Sequence, residues 1–146
     1  MWSDSLLVAE RAHLVRLVAW GAGSVVAGTL VFLLVTLRRA QSPLLTNFAV
    51  QCAAWGAVDL VIALLAWRGL AERDVAGATK LDRLLWLNTG LDVGYVAVGV
   101  ALAAVGWTLG RRLGLVGAGA GVVVQGLALV VLDVHFINVL GRLNVQ

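Results

Sequence analysis

The chain predicts an all-α polytopic membrane protein, an antiparallel four-helix transmembrane bundle, and three observations carry that class. It is 61% hydrophobic and only 13% charged over 146 residues, with a mean hydropathy of +0.95, far more apolar than soluble domains. Residues 17–37 carry no charge, and 40–67, 84–110 and 113–141 each exceed the length of a span with one aspartate inside. At ~1.5 Å per residue each stretch crosses a hydrocarbon core of ~30 Å, and lipid demands that its backbone be satisfied as a helix. Spans at about 15–37, 46–67, 84–108 and 113–140 leave no chain for a soluble unit, so residues 1–146 read as one domain.

Ahead of span one, residues 1–16 mix Leu6, Leu7 and Val8 with Asp4, Glu10, Arg11, His13 and Arg16. This pattern predicts a short interfacial helix whose Glu10, His13 and Arg16 face headgroups. The acidic Asp4 and Glu10, with no cleavage pattern behind them, argue against a signal peptide and for a retained first span. Span one offers Gly21, Gly23, Ser24 and Gly28 for close helix approach.

Arg38-Arg39 ends that span, and Gln41-Ser42-Pro43 forms a turn because Pro43 cannot continue a helix. Span two carries Asn47, Gln51, Trp55 and Asp59 in steps of four, a slowly drifting stripe that predicts a bundle-facing side. Cys52, the sole cysteine, excludes an intrachain disulfide and reads as a small packing residue. Residues 68–83 form the one sizeable polar connection, within which 71–80 read as either a surface helix or a loop.

Span three contains Asn88, Asp92 and Tyr95 at i, i+4 and i+7, hence on one side, with Gly90 and Gly94 near them. These glycines are expected to admit neighbouring helices. The short turn Gly110-Arg111-Arg112-Leu113-Gly114 makes spans three and four antiparallel neighbours. In span four Gly117 and Gly121 fit a small-xxx-small contact, followed by Gln125, Asp133, His135 and Asn138. Trp67 and Trp86 mark one interface and Trp107 the other.

The net charge is +3 and the pI 10.0, but the basic residues flank the spans. The implied partner is an anionic lipid bilayer, not nucleic acid. Seven Lys and Arg (11, 16, 68, 73, 80, 83 and 142) fall on the side of the termini and four (38, 39, 111 and 112) on the other, which predicts cytoplasmic termini.

Depth ties the polar residues together. Asp59, Asp92 and Asp133 all fall ~10 to 13 Å below the same surface, while Gln51 and Gln125 match each other nearer the opposite face. One intramembrane charge costs ~2.5 to 3.5 kcal/mol on insertion scales, so three favour pairing or shared protons. In the functional reading Asp59, Asp92 and Asp133, supported by Asn88, Tyr95, Gln51, Gln125 and Trp55, bind or conduct a proton, small cation or small polar ligand. In the structural reading the same residues only hold helices together in a non-transporting scaffold, homo-oligomer or partner subunit. A weaker third reading is a lipid or quinone site at Trp20, Trp55 and Tyr95.

Asp133 and His135 are two positions apart and point to different sides, whereas His135 and Asn138 share one. No spacing supports a haem held by His13 and His135, and no cofactor or metal is implied. With no Ser-His-Asp pattern and no phosphate-binding loop after a strand, the chain reads as a non-enzyme.

The run Asn88-x-Gly90-Leu91-Asp92-Val93-Gly94-Tyr95, together with Asn47, Trp55-Gly56, Gln125-Gly126 and Asp133, resembles a family of small uncharacterised bacterial four-span membrane proteins, a domain of unknown function. The resemblance implies a bacterial cell-membrane protein and supplies no activity or ligand.

Overall fold

In the computed structural model, which describes residues 2–143, four helices follow one another: α1 (Trp2–Leu37), α2 (Pro43–Arg68), α3 (Val75–Thr108) and α4 (Leu113–Leu143). Met1 and residues 144–146, the extreme ends assigned above to one side, lie outside that description. Each helix is long and apolar enough to cross a membrane. Their boundaries follow local chemistry. Ser42 caps α2, accepting from the Leu45 N–H at 3.4 Å, with Pro43 in the first turn where its missing N–H costs nothing. Asp74 caps α3, accepting from the Gly77 N–H at 2.7 Å. Gly110 and Arg111 turn α3 into α4 at φ of 75° and 54°, the left-handed region that a helix cannot pass through.

Two helices differ from the sequence reading. The first residues of α1 are not a separate interfacial helix but run without a break into residues 15–37, since nothing between Trp2 and Leu37 is a proline. Likewise only residues 69–74 are loop after α2, and α3 is already helical at Val75. Both extensions are held by burial. Leu6 of α1, Leu85 of α3, and Phe136 and Leu140 of α4 form an apolar cluster, with Ala9, Ala78, Leu81 and Ile137 against it.

Glycine decides how closely the helices pair. A Cβ on Gly56 would sit 2.6 Å from the Gly21 carbonyl, and one on Gly28 would sit 2.6 Å from the Ala49 carbonyl, so α1 and α2 meet backbone to backbone. Gly99 stands in the same relation to α4, 2.8 Å from the Gly119 carbonyl, and Gly117 lies on the Leu44 carbonyl of α2. Gly90 and Gly94 do not act this way: a Cβ on either would meet nothing within 4 Å. They face outward because Asp92, between them, faces in.

The resulting bundle is uneven. α1, α2 and α4 pack mutually, whereas α3 packs on α4, and among the described residues no Cα of α3 comes within 8 Å of α1 or α2. A gap therefore separates α2 from α3, closed at one end by the Leu6–Leu85–Phe136–Leu140 cluster.

Candidate functional site

The gap holds a cavity of about 280 Å³. Its polar wall is contributed by all four helices: Glu10 and His13 from α1, Trp55 and Asp59 from α2, Asn88, Asp92 and Tyr95 from α3, and Asp133 from α4. The rest of the lining includes the apolar side chains of Val58, Ile62, Leu91 and Leu129. The three aspartates grouped by depth in the sequence thus line one space, and all three are buried.

Their partners are few. His13 Nε2 lies 3.5 Å from Asp133 Oδ1, and its ring stacks on Phe136 with centroids 4.5 Å apart and planes at 12°. The stack fixes the imidazole, so one nitrogen is directed at the carboxylate. The other, His13 Nδ1, is buried without a hydrogen-bond partner, as is Asp59 Oδ2, although Asp59 is only 2% exposed. Among the described residues no cation or hydrogen-bond donor pairs with Asp59 or Asp92. Asn88 and Tyr95 line the cavity but donate no hydrogen bond to an aspartate. Such groups in a site with room for a guest invite one, because an unmet buried polar atom costs about 1–3 kcal/mol.

One end of the cavity is capped by charge. Arg73, in the loop before α3, donates from Nη2 and Nε to the two carboxylate oxygens of Glu10 at 2.6 and 2.9 Å. Glu10 is 5% exposed, and this pair neutralises it. Hydrogen bonding to Glu10 holds the Arg73 guanidinium pKa above its ordinary value. The far end is floored by Trp55 and Tyr95, whose rings lie 4.9 Å apart at 57°.

Not every residue of the sequence reading joins this site. Gln125 accepts from Trp20 Nε1 at 2.9 Å and donates to Ser24 Oγ at 3.2 Å, beside a second cavity of about 270 Å³ bordered by Gly28, Phe48 and Cys52. Its polar atoms are met there, which describes a structural node. Gln51 lies on Gly121 and lines neither cavity. Trp20 belongs to the second cavity and Trp55 with Tyr95 to the first, so these three aromatics form no common pocket. His135 and Asn138 are exposed, on the side of α4 away from Asp133. Among the described residues no three His, Cys, Asp or Glu side chains converge to hold a metal ion.

Glu10 and His13 are the residues that sequence reasoning misassigned. They were expected at headgroups with Arg16, but both are buried and only Arg16 is exposed. The signal was present in the spacing. Leu6, Glu10, His13, Leu14, Leu17, Gly21, Ser24 and Gly28 advance in steps of one, three or four, and all are buried. The inward side of span one thus continues back, in register, through Glu10 and His13.

No curated protein and no solved structure matches the chain. The chain belongs to the family of unknown function DUF6992, which matches residues 16–134 and so takes in Asp59, Asp92 and Asp133 but neither Glu10 nor His13.

Proposed function

We propose that the chain is a bacterial multi-pass membrane protein whose four helices cross the bilayer in antiparallel order, with cytoplasmic termini, and whose buried carboxylates bind a small cationic species, a proton included. Support for insertion comes from the outer surface, where Leu33, Leu34, Ile62, Leu65, Leu87 and Val131 are exposed. A soluble protein would bury such side chains. Trp67, Trp86 and Trp107 are exposed as interfacial anchors would be, and Arg111 lies 4.3 Å above the Trp107 ring. The cytoplasmic side for the termini rests on their excess of Lys and Arg.

The observation that carries the binding role is that Asp59, Asp92 and Asp133, from three helices, border one cavity while two of them have no partner. Helix-holding polar residues are satisfied by their neighbours, as Gln125 is. Carboxylates left unmet beside an open volume are arranged for an exchangeable charge. We assign the site no catalytic role. The test is Asp92→Asn in the purified protein: cation or proton binding, followed by calorimetry, disappears while the elution volume in detergent is unchanged. An unaltered binding isotherm, or a wild type that binds no cation at any pH, overturns the reading.

One observation favours an added assembly role. The outward Gly90 and Gly94 leave a small-residue face on α3 that a second helix fits. Gly90→Leu would then lower the mass of the detergent-solubilised particle, and an unchanged mass removes that role.

A further inference from the structure

The cavity is shaped for more than a bare ion. A compact inorganic cation is held by several ligands converging on one point, and among the described residues no three His, Cys, Asp or Glu side chains converge in that way. The volume is also too large. A cavity of about 150 Å³ accommodates benzene, and this one is about 280 Å³. The matching guest has roughly nine to twelve non-hydrogen atoms by that scale.

Its lining combines two kinds of side chain. Asp59 and Asp92 offer carboxylate oxygens without partners, while Trp55 and Tyr95 offer ring faces, and Val58, Ile62 and Leu91 are apolar. His13 Nδ1, a polar atom outside the acidic set, is also buried and unmet in a residue lining the same space. The way in is sideways. The Glu10–Arg73 pair and the Leu6 cluster close one end, whereas α2 and α3 stand apart and Val58, Ile62, Leu91 and Tyr95 are at once cavity lining and outer surface. An amphiphile dissolved in the bilayer meets that mouth directly.

Resting on the carboxylate-site reading above, we propose that the cavity takes a protonated amine carrying an aromatic or compact alkyl group. Its ammonium lies between Asp59 and Asp92, its apolar part lies against Trp55 and Tyr95, and it enters between α2 and α3. Charge complementarity holds the head. Ring contacts and apolar burial select the tail.

The experiment titrates the full chain in detergent micelles with phenethylammonium, methylammonium and sodium chlorides by calorimetry at constant ionic strength. Phenethylammonium is expected to bind about 2- to 30-fold more tightly than methylammonium, the range that contacts between a cation-bearing guest and ring faces are worth. Tyr95→Leu, a change at a partly exposed site, should remove most of that preference, lowering phenethylammonium affinity more than methylammonium affinity. Asp92→Asn should weaken both amines at least about tenfold. Equal affinity for the two amines overturns the proposal, as does a preference indifferent to Tyr95→Leu. If sodium or proton binding depends on Asp92 while neither amine binds, this proposal fails and the carboxylate-site reading stands. If no cation binds, both fail.

Discussion

Replacing Asp59 with leucine should make the protein more stable, the reverse of what a buried substitution normally does. Asp59 is 2% exposed and its Oδ2 has no partner. A buried polar atom left unmet costs about 1–3 kcal/mol, and replacing it by an apolar group of similar branching removes that cost. The side chain borders an open cavity, so leucine has room. Asp59→Leu is therefore expected to raise the unfolding free energy by about 1–3 kcal/mol, roughly a 5- to 150-fold shift toward the folded state. Reversible unfolding in mixed detergent and dodecyl sulfate micelles measures it, with cation binding measured alongside and expected to be lost. Gained stability with lost binding is the signature of a residue kept for function. If Asp59→Leu instead destabilises by more than ~0.6 kcal/mol, the usual worth of a polar contact between membrane helices, Asp59 is holding helices together and the reasoning fails.

Breaking the Glu10–Arg73 cap with Arg73→Ala should cost about 1–3 kcal/mol, below the range for fully buried pairs because Arg73 is 29% exposed. A double-mutant cycle with Glu10→Gln should return a coupling near 1 kcal/mol, and additive single effects would show that the pair contributes nothing. Gly119→Ala brings a Cβ within 2.6 Å of the Ala103 amide nitrogen and should destabilise by about 1–3 kcal/mol. Gly94→Ala, with open space around it, should be neutral or stabilising by up to ~1 kcal/mol, as the same unfolding assay will read. Gln125→Leu leaves the Trp20 indole without its acceptor, so it should lower stability by about 1–2 kcal/mol while amine affinity stays within about twofold. A large loss of affinity there would mean that the two cavities act as one.

The four helices were legible because apolar run length decides them, and the grouping of Asp59, Asp92 and Asp133 because depth along a helix follows from a fixed rise per residue. Rotation about each helix was harder to read. Gly90 and Gly94 flank Asp92 in sequence but lie on the outer side of α3 while Asp92 faces in, so nearness along the chain misled. Gln51 and Gln125 lie at matched depth yet turn to different neighbours, Gly121 in one case and Trp20 with Ser24 in the other. His13 and Glu10 escaped notice because charge suggested an exposed helix, whereas the register of Leu14, Leu17 and Gly21 carried the inward side through them. The Arg73 contact spans 63 positions and depends on how α1 and the loop before α3 meet, which no local pattern encodes.

The most direct measurement of the carboxylate site is modification of the wild-type protein by a membrane-soluble carbodiimide, mapped by mass spectrometry with and without a bound cation. Protonated N,N-dimethylphenethylamine suits as the cation because a tertiary amine forms no amide with an activated carboxyl. The account predicts modification at Asp59 and Asp92, suppressed several-fold as the amine fills the cavity, with exposed Glu72 and Asp74 reacting equally in both conditions. Modification of Asp59 and Asp92 that no cation suppresses would contradict it.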